Sequence, residues 1–280
     1  MISRTARGAA TLAFSSLAIP LAAAPTSRRF KIGACQWSLQ RRDSSCMAIA
    51  KEIGLDGVQV TMGFSSDNLK LRRAEIQRSY LDAARENGVE VASLALQETT
   101  NFRQPRSAVW LLDSIEVCRA MGTKVVLLAM FGGSERKANW SDDKIAVDQL
   151  VDLLKEVGPR AEKAGVSLGI ESYLSGKENM ELLDRIGSSG VKVYYDVGNS
   201  TDKGYDIYKE IRELGPRICE FHFKDGNYML GQGRIDFKKV REALDDIGFT
   251  GWIQLEAAVL HSLVPDYQAD LAYLRSIFPS

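Results

Sequence analysis

Ser167-Leu168-Gly169-Ile170-Glu171, Val193-Tyr194-Tyr195-Asp196, Ile218-Cys219-Glu220-Phe221-His222 and Trp252-Ile253-Gln254-Leu255-Glu256 are four short apolar runs, each closing on a side chain able to bind a metal ion. The closing residues are 25, 26 and 34 positions apart, room for one strand, one helix and two loops. If the runs are parallel neighbours, all four closing side chains arrive at one edge of one sheet, and the chemistry is expected there.

Upstream, the same alternation continues. Lys31–Gln36, Gly57–Val60, Val91–Leu94 and Thr123–Leu128 read as strands, the last leading into Met130-Phe131-Gly132-Gly133. Helices are predicted at Ser45–Ile53, Ala74–Asn87, Ser107–Met121 and Asp142–Ala164, the first four closed by Gly54, Gly88, Gly122 and Gly165. The Gly158-Pro159 pair is expected to kink or divide the fourth. Further helices are predicted at Glu178–Ile186, Tyr205–Leu214, Phe237–Ile247 and Tyr267–Ile277. Eight strand–helix units in about 250 residues fit a single closed (β/α)8 TIM barrel. A doubly wound sheet would want a glycine-rich phosphate loop after the first strand, and Gln36-Trp37-Ser38 is not one.

The chain is 45% hydrophobic and 26% charged, ordinary for a globular protein with a large core. Its 36 basic and 36 acidic residues balance, so there is no basic surplus for nucleic acid. Residues 1–24 differ from the rest: Arg4 and Arg7 precede an acid-free Ala/Leu-rich run ending Leu21-Ala22-Ala23-Ala24. This is the order of a secretory signal peptide and predicts export, to the periplasm or outside the cell, with residues 25–280 as the barrel domain. An uncleaved anchor is the alternative; the run is too short and too interrupted for a membrane span. Cys35, Cys46, Cys118 and Cys219 show no C-x-x-C pair, and their apolar neighbours suggest buried thiols over disulfides.

Glu171, Asp196, His222 and Glu256 form a mostly oxygen donor set, suited to one divalent ion (Mn²⁺ first, Mg²⁺ or Co²⁺ as alternatives) more than to a structural zinc. A single strand-end acid often merely caps the next helix. Four on consecutive strands are harder to explain that way, because burying three acids and a histidine without a cation is costly.

The ordered set of Glu171 in Gly-Ile-Glu, Asp196 in Asp-Val-Gly-Asn, His222 in His-Phe-Lys-Asp and Glu256, with the late Gly231-Gln232-Gly233-Arg234-Ile235-Asp236-Phe237, resembles the xylose isomerase-like sugar isomerase/epimerase superfamily. The likeness spans about residues 30–278. It implies that the four residues bind one divalent ion and that Glu171 and Glu256 also serve as acid and base. Ketose 3-epimerases of that superfamily carry a histidine where this chain has Asn199 and an arginine where it has Tyr228, which argues against a simple free-ketose 3-epimerase. Related apurinic endonucleases need several histidines, and this chain has only His222 and His261.

Around the four, Lys224 is expected on the same face as His222, to steady an enediolate or pair with an acid. Asn199 is expected to cap a helix or bond a sugar hydroxyl, and Trp37 and Phe131 to wall a sugar face or join the core. Arg234 is expected to close over substrate or sit as a solvated loop charge, and His261 to lie on the surface or rim. The expected activity is a metal-dependent isomerase or epimerase on an unphosphorylated sugar, cyclitol or keto-glycoside. A dehydratase or lyase on the same ligand set, or a barrel that only binds carbohydrate, are the alternatives. The substrate would be a small carbohydrate, and a homo-oligomer is left open.

Overall fold

A computed structural model describes residues 29–97, 105–131 and 144–279. The predicted signal segment, Asn101, Gly132, Gly133 and the predicted helix start at Asp142 lie outside the described residues.

Eight strands, β1 (Phe30–Cys35), β2 (Gly57–Thr61), β3 (Glu90–Leu96), β4 (Val125–Met130), β5 (Ser167–Ser172), β6 (Val191–Asp196), β7 (Ile218–Phe223) and β8 (Gly251–Leu255), pair in chain order. All pairings are parallel, and β8 returns to β1 through Phe30 opposite Gly251 and Ala34 opposite Leu255. The (β/α)8 barrel expected from the alternation is the fold.

Outside the strands lie α1 (Cys46–Ile53), α2 (Ala74–Asn87), α3 (Pro105–Ala120), α4 (Lys144–Ala164), α5 (Gly176–Ile186), α6 (Val197–Asp202), α7 (Ile207–Leu214), α8 (Phe237–Asp246) and α9 (Leu263–Ile277). Their ends follow local chemistry. Ser175 and Glu178 form a capping box that starts α5, and Gly187, with φ 70°, closes it in the left-handed region.

Three helix expectations are corrected. α4 runs through Gly158-Pro159 undivided, and Gly158 lies close against Ser188, where a Cβ would stand 2.7 Å from Ser188 Oγ. The helix predicted from Tyr205 begins at Ile207 on the Asp206 cap, and the separate turn α6 precedes it, started by the Asp196 carboxylate. α9 starts four residues earlier than predicted, at Leu263, because Asp266 Oδ2 gathers the backbone N–H groups of Leu260, His261 and Ser262.

The main apolar core fills the space between sheet and helices, with Phe30, Phe221, Phe223, Phe237 and Phe278 buried in edge-on and tilted ring contacts. Inside the barrel the described residues form a small apolar patch, Ala95, Leu127, Ala129 and Tyr194. The rest of the lumen holds fully buried polar side chains, Gln59, Ser93, Glu220 and Gln254 among them. A barrel interior is ordinarily filled by branched apolar residues, so this polar layer asks for a reason. It sits directly beneath the strand ends.

Candidate functional site

Register brings the four predicted ligands together. Asp196 on β6 pairs level with His222 on β7, and Glu171 lies near the end of β5 opposite Ala129. Glu256 follows β8 directly, its N–H donating to Phe223 at 3.0 Å. One ligand atom from each of the four lies within 4.8 Å of every other. His222 Nδ1 is 3.0 Å from Glu171 Oε1, 3.8 Å from Asp196 Oδ2 and 4.0 Å from Glu256 Oε2. Glu171, Asp196 and His222 are buried; Glu256 is half-buried and faces the cavity.

Asp196 serves two ends at once. Its Oδ1 takes the N–H groups of Gly198 and Asn199 at 2.8 and 2.9 Å and so starts α6. Its Oδ2 is left in the cage, with the Lys224 ammonium 2.8 Å away as a charge partner but no well-aligned hydrogen-bond donor. Lys224 also donates to Glu256 Oε2 at 2.6 Å, and Gly198 gives its stem room, since a Cβ there would meet Lys224 Cγ at 2.4 Å. The other oxygen of Glu256 accepts from Trp37 Nε1 at 2.7 Å.

These surroundings set the two glutamates apart. Burial drives the Glu171 carboxyl up to about 7, against the pull of His222. Burial works the same way on Glu256, but the His222 and Lys224 charges outweigh it and hold that carboxyl down at about 2.

His222 is oriented from below by a chain of hydrogen bonds that sequence reasoning missed. Its Nε2 donates to Gln59 Oε1 at 2.8 Å, Gln59 Nε2 to the Tyr194 hydroxyl at 2.9 Å, and that hydroxyl to Glu220 Oε1 at 3.0 Å. Ser93 and Gln254 add donors to the same Glu220 oxygen, at 2.6 and 2.8 Å. All donors in the chain point away from His222, so the Nε2 proton is held and Nδ1 is the nitrogen turned to the carboxylates. The signal for these residues was present: each is a polar residue inside an apolar strand, and Glu220 and Gln254 lie two before a ligand, hence on its face. Cys35 Sγ also touches His222 Nε2, at 3.3 Å, and with His222 and Glu256 it makes a second possible ligand group on the other side of the ring.

The donor set fits a small divalent cation. It offers three carboxylates and one tautomer-fixed imidazole, gathered around a buried carboxylate oxygen that lacks a well-aligned donor.

Above the cage lies a cavity of about 1090 Å³ at the C-terminal face of the barrel. It brings together Trp37, Phe131, Asn199, Lys224 and Arg234 with both glutamates. Asn199 is not a cap: Asp196 holds that position, and the Asn199 amide instead approaches Glu171 Oε1 at 3.4 Å. Phe131 stacks at a tilt on Tyr173, 4.9 Å between ring centres. Arg234 is half-exposed on the rim and ion-paired with Asp202. Tyr228, which stands where the resemblance places an arginine, and Gln97, which was not expected there, also line the cavity. His261 is exposed and contributes nothing to it.

The profile of the family described as "Xylose isomerase-like TIM barrel" matches residues 47–277. The chain belongs to this family. Among curated relatives, an inosose dehydratase of Lacticaseibacillus casei is 26% identical over 176 residues, 49% of this chain and 58% of that protein, so the matched stretch spans well under two thirds of that relative. Among solved structures, the D-psicose 3-epimerase of Clostridium cellulolyticum superposes with a TM-score of 0.75 at 18% identity, covering 89% of this chain and all of that one. A 3-keto-D-glucoside 4-epimerase from E. coli gives 0.72 at 16% identity, over 88% of this chain and 99% of that one. At such identities the superpositions establish the shared barrel. The relatives are sugar epimerases and a dehydratase. Among the described residues, no helix is long and apolar enough to cross a membrane.

Proposed function

We propose that the chain is a divalent-metal-dependent isomerase or epimerase of an unphosphorylated sugar, cyclitol or keto-sugar. The observation that carries this reading is the convergence of Glu171, from β5, and Glu256, from the end of β8, on one ligand set with Asp196 and His222. A bound divalent ion, Mn²⁺ in the first instance, would stabilise negative charge on neighbouring substrate oxygens.

The chain's own groups then divide the proton work. Glu256 stands ionised at the cavity wall, anchored at Oε1 by Trp37 and at Oε2 by Lys224, and is the base that takes the proton from carbon. Glu171, the second glutamate of the set, then returns a proton to the other face. Trp37 and Phe131 hold the sugar ring and exclude water, and Asn199 keeps the Glu171 carboxyl directed.

A second reading, dehydration or β-elimination, is favoured by one observation. The Lys224 ammonium lines the cavity beside the base and can offset the negative charge that develops on a departing oxygen. A barrel that only binds carbohydrate leaves the cage without a task. Freedom from phosphate follows from the export expectation and from the absence of a phosphate-cradling glycine loop in the sequence.

The deciding experiment is a proton NMR screen in D₂O of free and keto-sugars with Mn²⁺. Exchange with an epimer, a shifted carbonyl or an unsaturated product separates the three outcomes, and no exchange with any carbohydrate would end the enzymatic reading.

A further inference from the structure

A second cavity, of about 500 Å³, opens beside the first on the same face of the barrel. Trp37 and Gln97 line both, so the two spaces share a wall. Gln97 is fixed there by the Thr61 hydroxyl, which donates to its Oε1 at 3.0 Å. The other walls come from the segments after β1 and β2, including Gln40, Arg41, Arg42, Phe64 and Lys70. This volume lies within the roughly 300–1,000 Å³ of small-molecule sites.

Three observations concern what this space would receive. Phe64 lines it while 40% exposed, an aromatic ring offered to the opening. Arg41 and Arg42 lie beside it: the Arg42 guanidinium has no hydrogen-bond or ion-pair partner among the described residues, and Arg41 donates to the Gln40 carbonyl at 3.1 Å. The nearby acids are engaged, Asp43 with Ser45 and Asp67 with the backbone N–H groups of Phe64 and Lys70. The third is backbone conformation. Among the described residues, the non-glycine positions with left-handed φ are Gln40 at 55°, Asn68 at 54° and Leu69 at 51°. Gln40 lines this space, and Asn68 and Leu69 sit between Asp67 and Lys70, which also line it. Such backbone costs on the order of 1–3 kcal/mol per residue and persists where the surroundings hold it, commonly at ligand sites.

We propose that this space receives the second unit of a two-part substrate. The substrate is a glycoside oxidised in its sugar ring. Its keto ring lies at the metal cage, and its aglycone, an oxygen-bearing ring supplied by a second sugar or a phenol, rests on Phe64. Arg41 and Arg42 donate to the oxygens of that ring. Trp37 stands at the linkage between the two units. The inference rests on the keto-sugar reading above and narrows it from free sugars to glycosides.

Calorimetry on the full chain with Mn²⁺ present tests the space without turnover. Glucose, cellobiose and p-nitrophenyl glucoside share one ring and carry no keto group; the last two add the two kinds of second ring. At least one two-ring ligand should bind roughly tenfold more tightly than glucose. That gain should vanish in a Phe64→Ala/Arg42→Ala variant whose glucose affinity is unchanged, and the preferred ligand identifies the aglycone. Two-ring ligands that bind no better than glucose, or a variant that weakens all three equally, would overturn the proposal. Deuterium exchange reports on the chemistry separately: a two-ring preference without any exchange would remove the proposed reaction and leave the binding space assigned.

Discussion

Gln59 Oε1 lies 2.8 Å from His222 Nε2 and ties the one imidazole of the cage to the buried carboxyl of Glu220 through the Tyr194 hydroxyl. A neutral imidazole binds a metal only through its unprotonated nitrogen, so whatever holds the proton on Nε2 presents Nδ1 to the ion.

Replacing Gln59 with Leu removes that acceptor while keeping an inward side chain of similar reach. Mn²⁺ affinity should fall by about 10–100-fold, and Gln59→Glu, which keeps the acceptor, should retain most of it. Calorimetric titration of the metal-free protein reads both; equal affinity in wild type and Gln59→Leu would remove Gln59 from this role.

Glu256→Gln keeps the shape of the base and removes its charge. Solvent deuterium should no longer enter substrate at carbon, while sugar binding persists within a few-fold. Exchange continuing at the wild-type rate would assign the proton to another group.

Lys224 supplies the positive charge against Asp196 and Glu256. Lys224→Met should lower the stability of the chelator-treated protein by on the order of 2 kcal/mol, because two close carboxylates lose their counter-charge. Mn²⁺ should then raise the melting temperature of the variant more than that of wild type. Thermal scans in EDTA and in Mn²⁺ measure both effects, and an unchanged melting temperature in EDTA would contradict the pairing.

Asp270 on α9 is buried, accepts the Leu230 N–H at 2.9 Å through Oδ1, and leaves Oδ2 without a hydrogen-bond partner among the described residues. Burial pushes its carboxyl from 3.8 up to about 6. The folded state therefore binds the proton more tightly than the unfolded one. The stability this confers is fully present below about pH 4 and is lost as pH rises through about 6. Asp270→Asn keeps an acceptor for Leu230 and cannot ionise. It should gain on the order of 1 kcal/mol over wild type at pH 7, with the gain shrinking toward pH 4. Urea unfolding across that range reads it; a difference independent of pH would show that Asp270 is not the titrating group.

The barrel and its four candidate ligands were legible because both rest on periodic signals. Apolar runs at one strand–helix interval mark the sheet, and a ligand-type residue closing each of four consecutive runs marks its working edge. The lumen chain was harder to read. Gln59, Tyr194 and Glu220 look like stray polar residues until closure of the sheet shows that they face one another across the barrel. α6 was hidden because Asp-Val-Gly-Asn reads as a ligand motif and is also a helix start, and one aspartate does both through its two oxygens. Of the two expectations for Asn199, the cap fails because that position belongs to Asp196, and the residue lines the cavity instead.

The seam between β1 and β8 has a consequence for how the protein comes into being. As the chain leaves the ribosome, Glu171, Asp196 and His222 emerge well before Glu256, which follows the strand that shuts the cylinder. Until that strand is made, β1 and β7 each lack one neighbour and the candidate cation site lacks its fourth carboxylate or imidazole donor. Synthesis thus completes the outline of the fold and the working site in the same final stretch, and a polypeptide cut short before β8 has neither.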